Sequence, residues 1–217
     1  MSAAALVSIA LLGALVGSVV PQVSRHFATA DARTRALPGP WPVRHPWVDP
    51  MVATAVFVGA AFAVGADPAL PVFLAVAAVG LVLARVDLAC LRLPDPLVFV
   101  AGMLALGGLT FAALLAGTPG RLLGALAGAT TAAAAHVLLA LLPGSRLGFG
   151  DVKLAAVLGL PLGWLGRDTL LTGLLLPHLL HGGLVLGLLA ARRVRRQTLL
   201  PLGPALLVGT WLAILIT

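Results

Sequence analysis

The sequence predicts an all-α membrane protein, a polytopic bundle of about eight transmembrane helices with both termini outside. Of its 217 residues, 60% are hydrophobic and only 10% are charged, and the mean hydropathy is +1.10. Apolar stretches of roughly 15 to 23 residues recur along the chain, the length at which a helix crosses a bilayer. The arginines, moreover, fall mainly in alternate connections between these stretches, as the positive-inside rule requires.

The first four predicted spans are residues 3–24, 51–66, 69–86 and 96–117. No basic segment precedes the first one and its apolar run is too long for a signal peptide, so we interpret it as a span. The Pro-rich polar stretch at 25–50 is expected to be an extended cytoplasmic loop between the first two spans. We therefore treat residues 1–217 as a single membrane domain.

The remaining four predicted spans are residues 121–142, 149–165, 169–190 and 199–216. Short polar or glycine-containing connections separate them. The fifth is rich in Gly and Ala, especially at 124–135, which predicts close packing against a neighbouring helix.

The arginine distribution sets the expected orientation. Arg121 and Arg167 lie in connections on one side, and eleven arginines lie in connections on the other. The eleven are Arg25, Arg33, Arg35, Arg44, Arg85, Arg92, Arg146, Arg192, Arg193, Arg195 and Arg196. The arginine-rich side is predicted to be cytoplasmic. The net charge of +7 is therefore read as a membrane-topology signal, and no nucleic-acid partner is expected.

All seven acidic residues are aspartates. Four lie in connections, where we expect solvated acids: Asp31, Asp49, Asp67 and Asp168. Three lie at the predicted cytoplasmic ends of helices: Asp87, Asp95 and Asp151. Carboxylates on separate helices at the same depth can meet. Two such groups can share one proton, so that the ionised group activates water and the protonated group binds a carbonyl.

The stretch "GFGDVK" gives Asp151 a distinctive setting. Gly148 and Gly150 are expected to allow positive φ angles and a close approach by an extended peptide. Asp151 itself suits the N-cap of the sixth helix, and the same residues are typical of an ordinary turn and cap. Lys153 is expected to extend to the membrane interface or, alternatively, to influence the proton shared by the aspartates.

Alternative functions depend on other residues. His136, His178 and His181 lie within predicted spans, and a small transporter or a metal-binding membrane protein would use them. No HExxH motif is present, and the single cysteine, Cys90, excludes a CxxC site. Ser145 lies outside any GxSG pattern, which disfavours a serine protease.

Four segments together resemble the type IV prepilin peptidases, a family of GxGD intramembrane aspartyl proteases. They are "LLGALVGSVVPQVSR" at 11–25, "VDLACLRLPDPLVF" at 86–99, "GFGDVKLAAVLGLPLGW" at 148–164 and "LPLGPALLVGTWLAIL" at 200–215. The last resembles the family's PFGP helix, with Leu202 replacing the usual Phe.

The resemblance implies roles for individual residues. Asp87 and Asp151 match the catalytic pair, and Asp95 matches a supporting acid. It also implies an enzyme of the inner (plasma) membrane that needs no cofactor or metal. Its substrates would be the basic leader peptides of prepilins or pseudopilins, cleaved at the cytoplasmic face, and its partners a pilus or secretion machinery.

One departure concerns a second activity of the family, N-methylation of the processed product. The bifunctional members carry paired cysteines in the loop after the first span, and residues 25–50 contain none. We therefore expect a short form without the cysteine-containing methyltransferase region, for which N-methylation is doubtful.

Overall fold

The computed structural model describes residues 1–31, 46–145, 147–195 and 197–217, and their regular structure is entirely helical. Eight helices occur in this part of the chain: α1 (Ala3–Asp31), α2 (Val48–Val64), α3 (Leu70–Cys90), α4 (Asp95–Ala116), α5 (Pro119–Leu141), α6 (Phe149–Leu165), α7 (Arg167–Ala190) and α8 (Gly203–Ile216). Five of them, α1, α3, α4, α5 and α7, are long and apolar enough to cross a bilayer. The predicted fold class, an all-α polytopic bundle, is confirmed.

Several helix boundaries differ from the predicted ones, among them the end of α1 and the start of α8. α1 continues to Asp31, so the first part of the loop expected at 25–50 is helical, and residues 32–45 lie outside the described part of the chain. α8 begins at Gly203, four residues later than expected. Pro204 occupies its first turn, where the missing N–H of proline breaks no helical hydrogen bond.

The helix α6 lies in the interior of the bundle. Ten of its residues are buried, and the contacts of α6 extend to α4, α5, α7 and α8. Leu154 of α6, Leu83 of α3 and Leu109 of α4 belong to the main apolar core and are almost fully buried. Large apolar side chains also cover much of the outer surface. Together with the long apolar helices, this exterior indicates an integral membrane protein.

Helices α5 and α6 pack backbone to backbone through glycines. A Cβ added at Gly124 would lie 2.8 Å from the carbonyl oxygen of Gly163, and one added at Gly159 would lie 2.8 Å from Ala129 Cα. Gly128 lies against both Gly159 and Gly163 in the same seam. The close packing predicted for residues 124–135 is confirmed for these two glycines of α5, and the structure identifies α6 as the partner.

Polar contacts between the connections show which helix ends share a face of the bundle. Asp67, between α2 and α3, forms an ion pair with Arg121 of α5. The hydroxyls of Thr169 and Thr217 lie 2.7 Å apart and join the start of α7 to the end of α8 at this face. At the opposite face, Lys153 of α6 forms an ion pair with Asp95 of α4.

Two aspartates are less solvated than the sequence predicted. Asp49 lies in the first turn of α2, is buried, and pairs with Arg85 of α3. Asp67 accepts a hydrogen bond from Ala69 N–H (2.8 Å) as well as binding Arg121. Their partners lie in other helices or in a local turn. The composition of a connection reveals neither. Asp168 is exposed, as expected, and the side chain of Asp31 lies outside the described part.

Candidate active site

Asp87 lies near the C-terminal end of α3, and its side chain is nearly inaccessible, with 4% of the residue exposed. Its Oδ2 accepts a hydrogen bond from the Gly203 N–H at 3.0 Å. The carboxylate therefore lies at the N-terminus of α8, where unpaired amides and the helix dipole favour a negative charge.

Asp151 lies in the first turn of α6 and is half-buried. Its Oδ2 accepts a hydrogen bond from the N–H of Gly148 at 3.2 Å. Gly148 is the N-cap residue, so Asp151 occupies the third helical position, and the prediction that Asp151 itself forms the N-cap is wrong. The side chain still reaches back to the helix start, as the acid of a capping box does.

The two carboxylates lie at the same end of the bundle. Each comes from a different helix, and each lies at a helix N-terminus, Asp87 at that of α8 and Asp151 at that of α6. The side chain of Leu93 lies against the glycines at both of these helix ends, Gly150 and Gly203. A Cβ added at Gly150 would lie 3.2 Å from Leu93 Cβ, and one added at Gly203 would lie 3.3 Å from Leu93 Cδ2.

The glycines of "GFGD" have a different structural role from the one expected. Neither Gly148 nor Gly150 has a positive φ angle, and Gly148 is extended, with φ −73° and ψ 147°. The expectation of positive φ is therefore wrong. Gly150 instead allows a close approach, because a Cβ there would be in tight contact with Leu93. Gly148 and its neighbour Phe149 are exposed beside Asp151.

Asp95 and Lys153 meet at the same end of the bundle. Lys153 Nζ lies 2.8 Å from Asp95 Oδ1, and both side chains are exposed, at 44% and 70% of their areas. The ammonium also lies 5.9 Å from the centre of the Phe149 ring. An exposed ion pair of this kind contributes at most about 1 kcal/mol. It links the start of α4 to the first turn of α6 close to Asp151.

Two residues of this site, Leu93 and Gly203, were not predicted from the sequence to be site residues. Leu93 follows Leu91, which adopts a left-handed conformation (φ 53°) at the end of α3, and the turn directs Leu93 into the core. The signal available in the sequence for Leu93 was its apolar side chain, which stands between Arg92 and Pro94. Gly203 lies in the quoted "PLGP" motif, but nothing in that motif indicates contact with Asp87.

The intramembrane histidines form a separate group. The rings of His136 and His178 lie 5.2 Å apart, and the Nδ1 atom of each contacts the carbonyl oxygen four residues earlier in its helix. Within the ranges that the structure describes, no three or more His, Cys, Asp or Glu residues are arranged to hold a metal ion. The arrangement therefore gives no support to the metal-binding alternative.

The fold and this site define a polytopic helical membrane protein with two carboxylates at helix ends on one face of the bundle. The chain is similar to curated proteins named prepilin leader peptidase/N-methyltransferase. It is 34% identical over 133 residues to the one from Aeromonas hydrophila, and 35% identical over 133 residues to the one from Aeromonas salmonicida strain A449. Each match covers 60% of this chain and 44% of the relative, so the chain matches less than half the length of these proteins. No family model matches the chain, and no solved structure does.

Proposed function

We propose that this protein is an intramembrane aspartyl endopeptidase that removes the leader peptides of type IV prepilins or pseudopilins. The observation that carries the proposal is that Asp87 and Asp151, from separate helices, lie at the same end of the bundle, with Leu93 against the neighbouring glycines Gly203 and Gly150. The similarity to leader peptidases supports the substrate class.

The chemistry follows from two carboxyl groups that share one proton. The ionised group takes a proton from a water molecule, whose oxygen attacks the scissile carbonyl, and the protonated group hydrogen-bonds the carbonyl oxygen. The tetrahedral intermediate then collapses, and the leaving amine takes up a proton from the pair. The products are a carboxylate and an amine, and no metal or covalent intermediate takes part.

The lengths of the helices suit hydrolysis at the edge of a bilayer. With a rise of about 1.5 Å per residue, the 14 residues of α8 extend about 21 Å, which is less than the roughly 30 Å of a hydrocarbon core. Asp87 lies at the start of this short helix. Water and an extended peptide would thus reach the carboxylates from the end of the bundle at which α6 and α8 begin.

Co-expression of the chain with candidate prepilins and pseudopilins tests the activity and selects the substrate. We expect a shift in gel mobility for at least one of them, from loss of its leader. If every precursor keeps its leader while the protein is inserted and folded, the proposed activity is wrong.

We expect the product of this chain to carry an unmethylated amino terminus. Residues 25–50 contain no cysteine pair, and Cys90, half-buried at the end of α3, is the single cysteine of the sequence. Mass spectrometry of a substrate processed by this chain alone provides the measurement. A mass increment of one methyl group would contradict the expectation.

We also propose that the carboxylates face the cytoplasm, because the eleven-to-two arginine bias puts their helix ends on that side. In inverted vesicles we expect an impermeant maleimide to label Cys90, and in intact cells we expect no labelling. A Cys90→Ser, Gly120→Cys variant should behave oppositely, since Gly120 is exposed at the start of α5, at the other face. Labelling of Cys90 from outside intact cells would reverse the proposed orientation.

A further inference from the structure

The first turn of α8 lacks a cap from its own sequence. Its N-cap residue is Leu202, which provides no side-chain hydrogen bond. The Gly203 N–H is bonded instead to Asp87 Oδ2, 116 residues earlier in the chain. A helix start leaves its first amides without internal partners, and a buried amide needs an acceptor. Asp87 is that acceptor for Gly203.

The absence of a side chain at Gly203 is required for this contact. A Cβ added there would lie 2.7 Å from Asp87 Oδ2 and 3.3 Å from its Cγ, closer than an unstrained carbon–oxygen contact allows. It would also lie 3.3 Å from Leu93 Cδ2, and both Asp87 and Leu93 are buried. The carboxylate therefore has little room to move away. Any residue other than glycine at position 203 would displace it.

We propose that Gly203 is a positioning residue for the reaction: its N–H and its lack of a side chain fix the orientation of the Asp87 carboxylate at the start of α8. The inference rests on the proposed function and deepens it, because it makes the start of α8 part of the active site. Gly203 acts only through Asp87, since its N–H binds that carboxylate.

The kinetic test compares two glycine-to-alanine variants of the full chain in cleavage of a prepilin. For Gly203→Ala we expect kcat to fall about 100-fold, since small displacements of a reacting group have effects of that size. We expect KM to stay within about two-fold of the wild-type value, because ground-state binding of the substrate is unchanged.

Gly80→Ala is the matched control, since Gly80 is a buried glycine that packs against the same helix, α8. A Cβ at Gly80 would lie 2.8 Å from Leu207 Cδ2, the flexible end of a side chain. Leu207 lines a cavity of about 280 Å³ between α2, α3 and α8, which gives it space to move. We expect wild-type kcat and KM for Gly80→Ala. Equal kcat values for the two variants, or a Gly203→Ala variant affected only in KM, would overturn the inference.

A second measurement does not depend on peptidase activity or on folding of the Gly203→Ala variant. In wild-type protein and in Asp87→Ala, amide hydrogen exchange is followed by NMR at Gly203 and, as an internal reference, at Trp211 in the middle of α8. We expect exchange at Gly203 to be at least about five-fold faster in Asp87→Ala, because the amide loses its acceptor, with Trp211 unchanged. Unchanged exchange at Gly203 would refute the contact on which the positioning role depends.

The two tests separate failure of the inference from failure of the proposed function. A wild-type protein that cleaves no precursor, but in which exchange at Gly203 depends on Asp87, contradicts the function and leaves the contact standing. A wild-type protein that cleaves normally, with Gly203→Ala as active as Gly80→Ala, contradicts the positioning role alone.

Discussion

Asp87→Asn and Asp151→Asn are each expected to reduce leader cleavage by about 1,000-fold, the scale of a lost general acid or base. Asparagine is nearly isosteric with aspartate but cannot exchange a proton. Its side-chain oxygen can still accept the hydrogen bonds donated by Gly203 to residue 87 and by Gly148 to residue 151. The variants should therefore insert and fold, and the loss should appear in kcat.

Asp168→Asn is the matched control for both substitutions. Asp168 also lies in the first turn of a helix, α7, but it is exposed and α7 begins at the opposite face of the bundle. We expect cleavage at the wild-type rate, measured by gel shift on the same precursor. Retained cleavage by either variant at position 87 or 151 would remove that residue from the catalytic pair.

Gly159→Leu is expected to destabilise the protein by at least about 3 kcal/mol, the upper range for overpacking a core. A Cβ at Gly159 would already lie 2.8 Å from Ala129 Cα and from the carbonyl carbon of Gly128. These are backbone atoms, so the collision is relieved only if α5 and α6 move apart. Thermal unfolding in detergent should show a lower midpoint. Cleavage should fall as well, because α6 carries Asp151.

Gly107→Leu separates this packing effect from a general effect of leucine in a membrane helix. Gly107 lies in α4, is exposed, and has no atom within 4 Å of an added Cβ. We expect its unfolding midpoint to match or exceed that of the wild type, since glycine has the lower helix propensity. Equal midpoints for Gly159→Leu and Gly107→Leu would show that the glycine seam does not stabilise the bundle.

Several features of the protein could be predicted from sequence because they depend on local composition. A long apolar stretch in a membrane favours a helix wherever it occurs, which is why all eight helices were expected near their observed positions. The same logic placed Asp87 and Asp151 at helix ends on one face of the bundle. Repeated small residues in α5 likewise indicated close packing.

Local composition was insufficient where a partner lies far away in the chain. Asp49 was expected to be solvated, yet it binds Arg85, 36 residues later. Asp67 was also expected to be solvated, and it binds Arg121, 54 residues later. A polar residue in a connection can face solvent or a neighbouring helix. The hydropathy of the segment is the same in both cases, so it does not distinguish them.

The sequence by itself therefore determined the helices, and it predicted their sidedness and the two aspartates as the candidates for acid–base chemistry. Only the tertiary structure decided what holds those aspartates. Leu93 enters the core because Leu91 turns the chain, and Gly203 reaches Asp87 because α8 begins beside α3. Contacts of this kind join a side chain to the free amide at the start of a distant helix. Such contacts leave no periodic or compositional pattern in the sequence, because they form only when the helices pack.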